Sequence, residues 1–157
     1  EAGGALFYLT HASPRDNLFE YVSPRRDPER WAEAMREAQN ALGGAAGEEA
    51  QVGNSGAGSE GHPGFVLAGH THLPYVKELE WAGLSSGGVI TVINPGSVGQ
   101  PRDGDPRASY AVWIDGGSEL KRIPYDVERT AAALLALDLP EGVAATLARV
   151  LRTGGRQ

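Results

Sequence analysis

The hydrophobic residues of this chain form short continuous runs in its first two thirds and helical repeats towards its end. A short continuous apolar run is typical of a strand that is covered on both faces in a parallel sheet. Such runs occur at Ala5 to His11, Phe65 to Ala68 and Val89 to Ile93. Between the first two runs, Asp27 and Pro28 favour the start of a helix, which the apolar spacing extends to Gly43. The pattern therefore predicts an α/β fold.

The last third of the chain predicts a hairpin and two helices. Ser109 to Ile114 and Leu120 to Tyr125 flank the turn signal Asp115-Gly116-Gly117, which favours an antiparallel hairpin. Apolar residues then recur at helical spacing in two stretches separated by Pro140, and each predicts an amphipathic helix that packs one face on the body. Their apolar positions are Val127, Ala131, Leu134 and Leu135, followed by Val143, Leu147, Val150 and Leu151.

A glycine-rich stretch at residues 43–64 interrupts this pattern and contains almost no apolar side chains. Such a composition favours a mobile surface insertion. We do not interpret it as a domain boundary, because both of its flanks have the pattern of a single α/β sandwich.

The composition excludes several classes of chemistry. The chain has no cysteine, which excludes a disulfide scaffold, a cysteine nucleophile and thiolate-ligated zinc or iron–sulfur sites. Its formal net charge of −6 argues against a surface that binds nucleic acid or an acidic membrane. The longest apolar run, Ala131 to Leu137, is far shorter than the ~18 residues of a membrane span. Residue 1 is Glu and no signal-like segment precedes the first strand, so we expect a piece of a cytoplasmic protein.

Three of the four histidines, His11, His70 and His72, lie where predicted strands end. Open α/β sheets bind ligands at that edge, and neutral imidazole is a common ligand of zinc, manganese, iron and nickel. One such histidine is more often a hydrogen-bonded structural residue, but three together predict a metal site. They could hold one catalytic zinc, whereas a two-metal site also needs bridging carboxylates. The fourth histidine, His62, lies in the glycine-rich stretch and is expected to be exposed and without function.

Three sequence blocks resemble the calcineurin-like metallophosphoesterase superfamily. They are Thr10 to Pro14, Gly69 to His72 (Gly-His-Thr-His), and Asn94 to Arg102 (Asn-Pro-Gly-Ser-Val-Gly-Gln-Pro-Arg), which precedes a strand that begins at Ala108. Their order and spacing are similar to those in the C-terminal half of the domain in the small prokaryotic branch of the family. The resemblance implies an α/β fold that is part of a two-sheet sandwich of the metallo-dependent phosphatase type.

The resemblance also implies a dinuclear metal centre that hydrolyses a phosphate monoester or diester. His11 and His70 would ligate one divalent cation and His72 the other, and the candidate metals are manganese, iron, zinc and nickel. Asn94 and Ser97 are candidate substrate-binding residues, because their turn could present an amide and backbone N–H groups to a phosphate. The alternative for these two residues is an ordinary Asn-Pro-Gly turn.

The sequence also departs from the family pattern. The family's Asp-x-His, Gly-Asp-x-x-Asp and Gly-Asn-His blocks, which supply the remaining ligands, are absent. We therefore expect residues 1–157 to be one partial domain, with the C-terminal half of the core at 1–125 and a helical tail at 126–157. The N-terminal half would belong to the same or another chain, and the segment alone would be inactive and poorly stable, with exposed sheet edges. Two alternatives stay open: a protein-binding scaffold of the same fold and a mononuclear zinc-binding module.

Overall fold

The structure of the protein is a computed structural model that describes residues 7–21, 23, 26–43, 64–81, 88–114 and 116–155. Its elements in chain order are β1 (Phe7–Thr10), α1 (Pro28–Gly43), β2 (Phe65–Ala68), β3 (Tyr75–Trp81), β4 (Gly88–Asn94), β5 (Ala108–Ile114), β6 (Gly117–Ile123), α2 (Val127–Leu135) and α3 (Val143–Thr153). The predicted helix and the three strands predicted from the apolar runs are confirmed. Apart from its two end residues, the predicted insertion at 43–64 lies outside the described residues.

The larger sheet contains four strands in the order β1-β2-β4-β3. β1, β2 and β4 run parallel, as their apolar runs predict, and β3 runs antiparallel to β4. The sequence analysis did not predict β3, because charged side chains interrupt its apolar pattern. These side chains are exposed and β3 lies at the end of the sheet, where charges are tolerated. At the opposite end, Leu9 of β1 is 70% exposed, so the expectation that this strand is covered on both faces is wrong.

Helix α1 covers one face of this sheet. It begins at Pro28, directly after Asp27, and its first-turn residue Glu29 is favourable at the positive end of the helix dipole. Trp31, which has no exposed surface, and Met35 point from α1 into the main hydrophobic core. The other buried members of that core come from β2, β3 and β4, and they are Val66, Ala68, Tyr75, Leu79, Ile90 and Val92.

The β5–β6 hairpin forms the second sheet and packs on the other face of the first one. The contact is aromatic: Phe7 and Phe65 stack with ring centroids 5.1 Å apart, and Trp113 of β5 meets Phe7 edge-on at 5.3 Å. Such edge-on and offset aromatic pairs are favourable beyond the burial of their area. The hairpin is therefore confirmed, although β6 begins at Gly117, earlier than predicted. The two sheets and their helices form the predicted α/β sandwich.

The predicted tail helices α2 and α3 are also present. Asp126 caps α2 by accepting a hydrogen bond from the Arg129 backbone. Their shared cluster is formed by Ala131, Ala148 and Leu151, so the two helices pack mainly against each other. The expectation that each packs its apolar face on the body is wrong, and the amphipathic pattern alone does not reveal the partner of an apolar face. Helix α3 reaches the body at its C-terminal end.

That contact with the body is made by the backbone of Gly154. Its carbonyl oxygen accepts a hydrogen bond of 2.8 Å from the Gly104 backbone N–H. A Cβ atom at Gly154 would lie 2.4 Å from the backbone nitrogen of Asp105, a distance at which something must shift. Gly154 also has a positive φ of 66°, which favours glycine. The end of α3 and the loop at residues 101–105 therefore approach each other backbone to backbone.

We expect Gly154→Ala to destabilise the protein more than Gly142→Ala. Both positions have positive φ, so each alanine carries the cost of a left-handed residue, about 1–2 kcal/mol. No atom lies within 4 Å of a Cβ at Gly142, whereas at Gly154 the displaced loop adds about 1–3 kcal/mol. Urea unfolding of both variants measures the difference. Equal losses would show that the close contact does not exist in solution.

Candidate metal centre

The carboxyl ends of the three parallel strands bring the predicted site residues to one edge of the larger sheet. β1 leads into His11, β2 leads through Gly69 into His70, and β4 ends at Asn94. The Gly69 backbone N–H donates a hydrogen bond of 2.9 Å to the His11 carbonyl oxygen, which continues the β1–β2 ladder beyond both strands. The two histidine loops therefore leave the sheet side by side.

His11 and His70 are in direct contact. Nε2 of His11 lies 2.9 Å from Nδ1 of His70, and the two rings meet edge-on with centroids 4.9 Å apart. Two nitrogen ligands that each lie about 2.0–2.1 Å from one zinc-like cation are separated by ~3–4 Å or slightly less. Nε2 of His70 is buried and has no hydrogen-bond partner among the described residues. The pair is therefore close enough to share one cation and contains a polar atom that the described chain does not satisfy.

His72 makes a different contact. Its Nδ1 lies 2.8 Å from the carbonyl oxygen of Gln100. Because a carbonyl oxygen only accepts, this contact requires the proton on Nδ1 and leaves the lone pair of Nε2 free in the neutral ring. A backbone carbonyl that orients a histidine in this way is a common feature of metal-ligating histidines. His72 therefore has the tautomer that a metal ligand needs.

Both histidines of the Gly-His-Thr-His block have left-handed backbones, with φ of 56° at His70 and at His72. They are the non-glycine residues with positive φ in the described part of the chain. Left-handed conformations cost energy in residues with a Cβ, and they concentrate where the surrounding structure imposes them for function. Gly69, by contrast, has no positive φ, and a Cβ there would meet only ordinary contacts. The sharp turn after β2 is thus made by the histidines themselves.

The surrounding structure that imposes this turn is centred on Asn94, which has no exposed surface. Its Nδ2 donates to the Gly69 carbonyl oxygen at 2.7 Å and to Thr71 Oγ1 at 3.1 Å. Its Oδ1 accepts from the Gly96 backbone N–H at 2.9 Å. The side chain also hydrogen-bonds the Tyr75 hydroxyl, and burial raises the pKa of Tyr75 to about 12. Asn94 is therefore committed to holding the loops.

The two predicted substrate-binding residues thus have internal roles in this structure. Asn94 is fully buried, and Ser97 Oγ accepts a hydrogen bond of 2.9 Å from the Gln100 backbone N–H. Through that bond Ser97 helps to place the Gln100 carbonyl that orients His72. A direct contact of either residue with substrate stays a prediction.

Several contacts around the histidines were not predicted from the sequence. Ser13, which has no exposed surface, donates from Oγ to the Glu20 carboxylate and thereby closes the loop that follows His11. The Arg15 guanidinium hydrogen-bonds the same carboxylate and holds the pKa of Glu20 below its ordinary value. The Tyr21 ring lies 4.3 Å from the His70 ring, and Arg102 donates to the Tyr21 hydroxyl. No local spacing rule links these residues, because they come from different loops.

The electrostatic surroundings keep His70 neutral. Burial lowers the pKa of His70 below its ordinary value, and the nearby His11, His72 and Arg102 side chains lower it further. Neutral imidazole is the form that ligates metals. The surroundings of His70 therefore favour the form of its imidazole that can bind a metal ion.

Within the described residues, no group of three or more His, Asp or Glu side chains forms a metal site on its own. The structure brings His11 and His70 together, whereas His72 lies on the same turn but faces Gln100. The three histidines fit as part of the ligand set of a metal centre. The spacing of His11 and His70 and the tautomer of His72 both agree with that role. The charge of the Asp16 carboxylate acts on His70, but no Asp or Glu completes a group of three metal-ligating side chains among the described residues.

The fold and these sequence blocks define a known family. A profile of the calcineurin-like phosphoesterase superfamily domain matches residues 2–115. The chain belongs to the calcineurin-like phosphoesterase superfamily, a family that generally uses divalent metal ions. The predicted family and fold class are thereby confirmed.

Individual relatives agree with this assignment. An uncharacterized protein of Methanocaldococcus jannaschii is 37% identical over 86 residues, which cover 49% of this chain and 35% of the relative. The crystal structure of a metallophosphoesterase from Sphaerobacter thermophilus matches 96% of this chain and 55% of its own, with 25% identity and a TM-score of 0.64. A hypothetical protein from Pyrococcus horikoshii OT3 shares the fold, with 14% identity, a TM-score of 0.61, and coverage of 96% and 47%. The chain thus spans about a third to a half of the length of these proteins.

None of the helices in the described ranges is long and apolar enough to cross a membrane.

We expect Asn94→Leu, a change of similar volume, to destabilise the protein by about 2–4 kcal/mol. The variant leaves the Gly96 N–H without its partner, and it removes the amide donor from the Gly69 carbonyl, which still accepts from the Thr71 N–H. A lost hydrogen bond costs about 0.5–1.5 kcal/mol and an orphaned buried group about 1–3 kcal/mol. Thr71→Val is the matched control, because it removes only the acceptor at Oγ1 and should cost about 1 kcal/mol. Urea unfolding measures both losses. An Asn94→Leu loss no larger than that of the control would contradict the proposed role of the amide.

The lowered pKa of His70 predicts the direction of a pH effect in the metal-free protein. Between the folded pKa and the ordinary value of 6.5, the unfolded chain binds more protons than the folded one. The free energy of unfolding should therefore rise with pH through this window, and His70→Asn should reduce the rise. Asparagine is chosen because it tolerates the left-handed backbone. NMR titration of the imidazole checks the same point directly, and a midpoint at or above 6.5 would contradict it.

Proposed function

We propose that this protein acts as a dinuclear metallophosphoesterase in which His11 and His70 ligate one divalent cation and His72 ligates the other. The observation that supports this most strongly is the separation of 2.9 Å between His11 Nε2 and His70 Nδ1. The Nδ1 contact of His72 with a carbonyl supports it further, because this contact leaves Nε2 available. The proposed substrate is a phosphate monoester or diester.

The chain's own residues contribute ligands and their orientation. Asn94 fixes the turn that presents His70 and His72, while Gln100 fixes the ring of His72. The chemistry that bound divalent cations supply at such a site is polarisation of the phosphoryl group and activation of water near neutral pH. Manganese, iron, zinc and nickel all accept imidazole ligands, and manganese is one candidate. We also propose a cytoplasmic location for the protein.

The remaining ligands are proposed to come from outside the residues that the structure describes. A two-metal centre needs bridging carboxylate oxygen, and no Asp or Glu completes a group of three metal-ligating side chains among the described residues. The relatives are longer than this chain, and matched lengths of 35% to 55% leave room for further blocks. We therefore propose that an N-terminal half, in the same or another chain, completes the domain, and that this segment alone is inactive.

Two alternatives predict other metal stoichiometries. A mononuclear zinc module would need His11, His70 and His72 around one cation, but the described residues form no group of three such ligands. A protein-binding scaffold would need no metal, but it gives no reason for the left-handed backbones of His70 and His72. The dinuclear centre therefore agrees best with the geometry.

We expect His72→Asn in the full-length protein to lower metal content from about two to about one cation per chain. Asparagine keeps a side chain that tolerates the left-handed backbone, but it is too short to place a ligand at the imidazole Nε2 position. Turnover of a phosphate ester model substrate should fall by roughly 100-fold or more. Metal analysis and steady-state kinetics measure the two effects.

The matched control is His62→Asn, which makes the same chemical change at a histidine outside the described residues. It should leave metal content and turnover unchanged. Full metal occupancy with unchanged turnover in His72→Asn would contradict the assignment of His72 as a metal ligand. One cation per chain in the unaltered protein would support the zinc module, and none would support the scaffold.

A further inference from the structure

We propose that Arg102, held in place by Tyr21, binds the phosphoryl oxygens of the substrate beside the metal centre. This inference rests on the proposed function, and it assigns to Arg102 the contact with the substrate anion. It replaces Asn94 as the primary candidate for that contact, because the amide of Asn94 is buried and committed to the loops.

The position of Arg102 is set by two contacts that lead to His70. Arg102 Nη1 donates a hydrogen bond of 2.8 Å to the Tyr21 hydroxyl. The Tyr21 ring lies against the His70 ring, with centroids 4.3 Å apart, and its hydroxyl is 3.4 Å from the His70 carbonyl oxygen. The guanidinium therefore stands beside the His11–His70 pair.

Arg102 also differs from neighbouring arginines because the described residues give it no carboxylate partner. Arg107 and Arg122 in this region pair with Asp105 and Asp103, and Arg15 on the His11 loop pairs with Glu20. Arg102 forms no ion pair with any residue that the structure describes, and its side chain is exposed. A guanidinium has five N–H donors in a planar fork that matches the oxygens of a phosphate. The donors not used by Tyr21 are available for such a ligand.

The loop that carries Arg102 is rigidly supported, so this placement is built into the fold. Pro101 is fully buried, and the ion pair between Asp103 and Arg122 ties the loop to β6. On the other side, a Cβ at Gly155 would lie 3.0 Å from the Cα of Arg102, which shows how closely the end of α3 supports this point. Gln100, two residues earlier, orients His72. The same loop thus orients His72, a proposed metal ligand, and positions the Arg102 guanidinium. Neither group then has to move when substrate binds.

The proposed contact is a binding interaction without a bond-making step. A phosphoryl group has more oxygens than one metal cation binds, and the guanidinium donates charge-assisted hydrogen bonds to one or two of the others. The acidic chain, with its formal net charge of −6, otherwise repels an anionic substrate. An unpaired arginine at the histidine edge supplies a local positive charge where the phosphate must sit.

The test is calorimetric binding of inorganic phosphate to the full-length protein loaded with Mn²⁺, with metal content measured in parallel. Arg102→Ala should weaken phosphate binding by about 10- to 100-fold, the value of one strong charged hydrogen-bond pair. Arg102→Lys, which keeps the charge and loses the fork, should recover part of the loss. Tyr21→Phe, which keeps the ring on His70 and removes the hydroxyl, should weaken binding by about 3- to 10-fold.

Arg107→Ala is the matched control, because it removes the same charge from a nearby exposed arginine that pairs with Asp105. It should leave the affinity for phosphate unchanged, and all four variants should retain the metal content of the unaltered protein. An unchanged affinity in Arg102→Ala overturns the inference while the proposed function stands. A parallel loss of metal in Arg102→Ala also overturns it, because the residue would then act on the centre itself. If the unaltered protein binds neither Mn²⁺ nor phosphate, the proposed function fails and the inference fails with it.

Discussion

A single buried amide, that of Asn94, connects the histidine turn after β2 with the loop that follows β4. Its nitrogen reaches the end of β2 at Gly69 and the middle of the histidine turn at Thr71, while its oxygen reaches Gly96 in its own loop. Parallel strands deliver their carboxyl ends to one edge, but they do not fix how the chain turns afterwards. The amide performs that second task, because a buried polar group that loses its partners is costly. The left-handed conformations of His70 and His72 persist because a different turn would lose the hydrogen bonds of this amide.

The three histidines illustrate how the same residue type is differentiated by its neighbours. His72 faces a carbonyl oxygen, which decides its tautomer, whereas His11 and His70 face each other. Around them the charges are arranged in pairs: Glu20 with Arg15, Asp103 with Arg122, and Asp105 with Arg107. These pairs hold their loops in place. Among the other charges near the histidines, Arg102 and Asp16 act on His70 with opposite signs.

Much of the fold could be predicted, because continuous apolar runs and helical spacing report burial directly. This holds for β1, β2, β4, α1 and the hairpin. β3 could not be predicted, since Lys77, Glu78 and Glu80 interrupt its apolar pattern, and the buried residues described for this strand are Tyr75 and Leu79. The histidines could be identified from their positions at strand ends. Their left-handed turn, and the contact of Tyr21 with Arg102, could not, because both depend on residues that tertiary structure brings together from distant positions.

The backbone contact between Gly154 and the loop at residues 101–105 has a consequence for the order of folding. The partners lie about 50 positions apart in sequence, and contacts of such long separation form late because chain closure costs entropy before they stabilise the fold. The β3–β4 pair and the hairpin can form from nearer contacts, whereas the β1–β2 pairing is also of long separation and the loop that carries Gln100 and Arg102 receives its last support only when α3 docks. The histidine edge should thus acquire its final geometry at the end of folding. A chain released from synthesis would then be compact before it is competent to bind an anion.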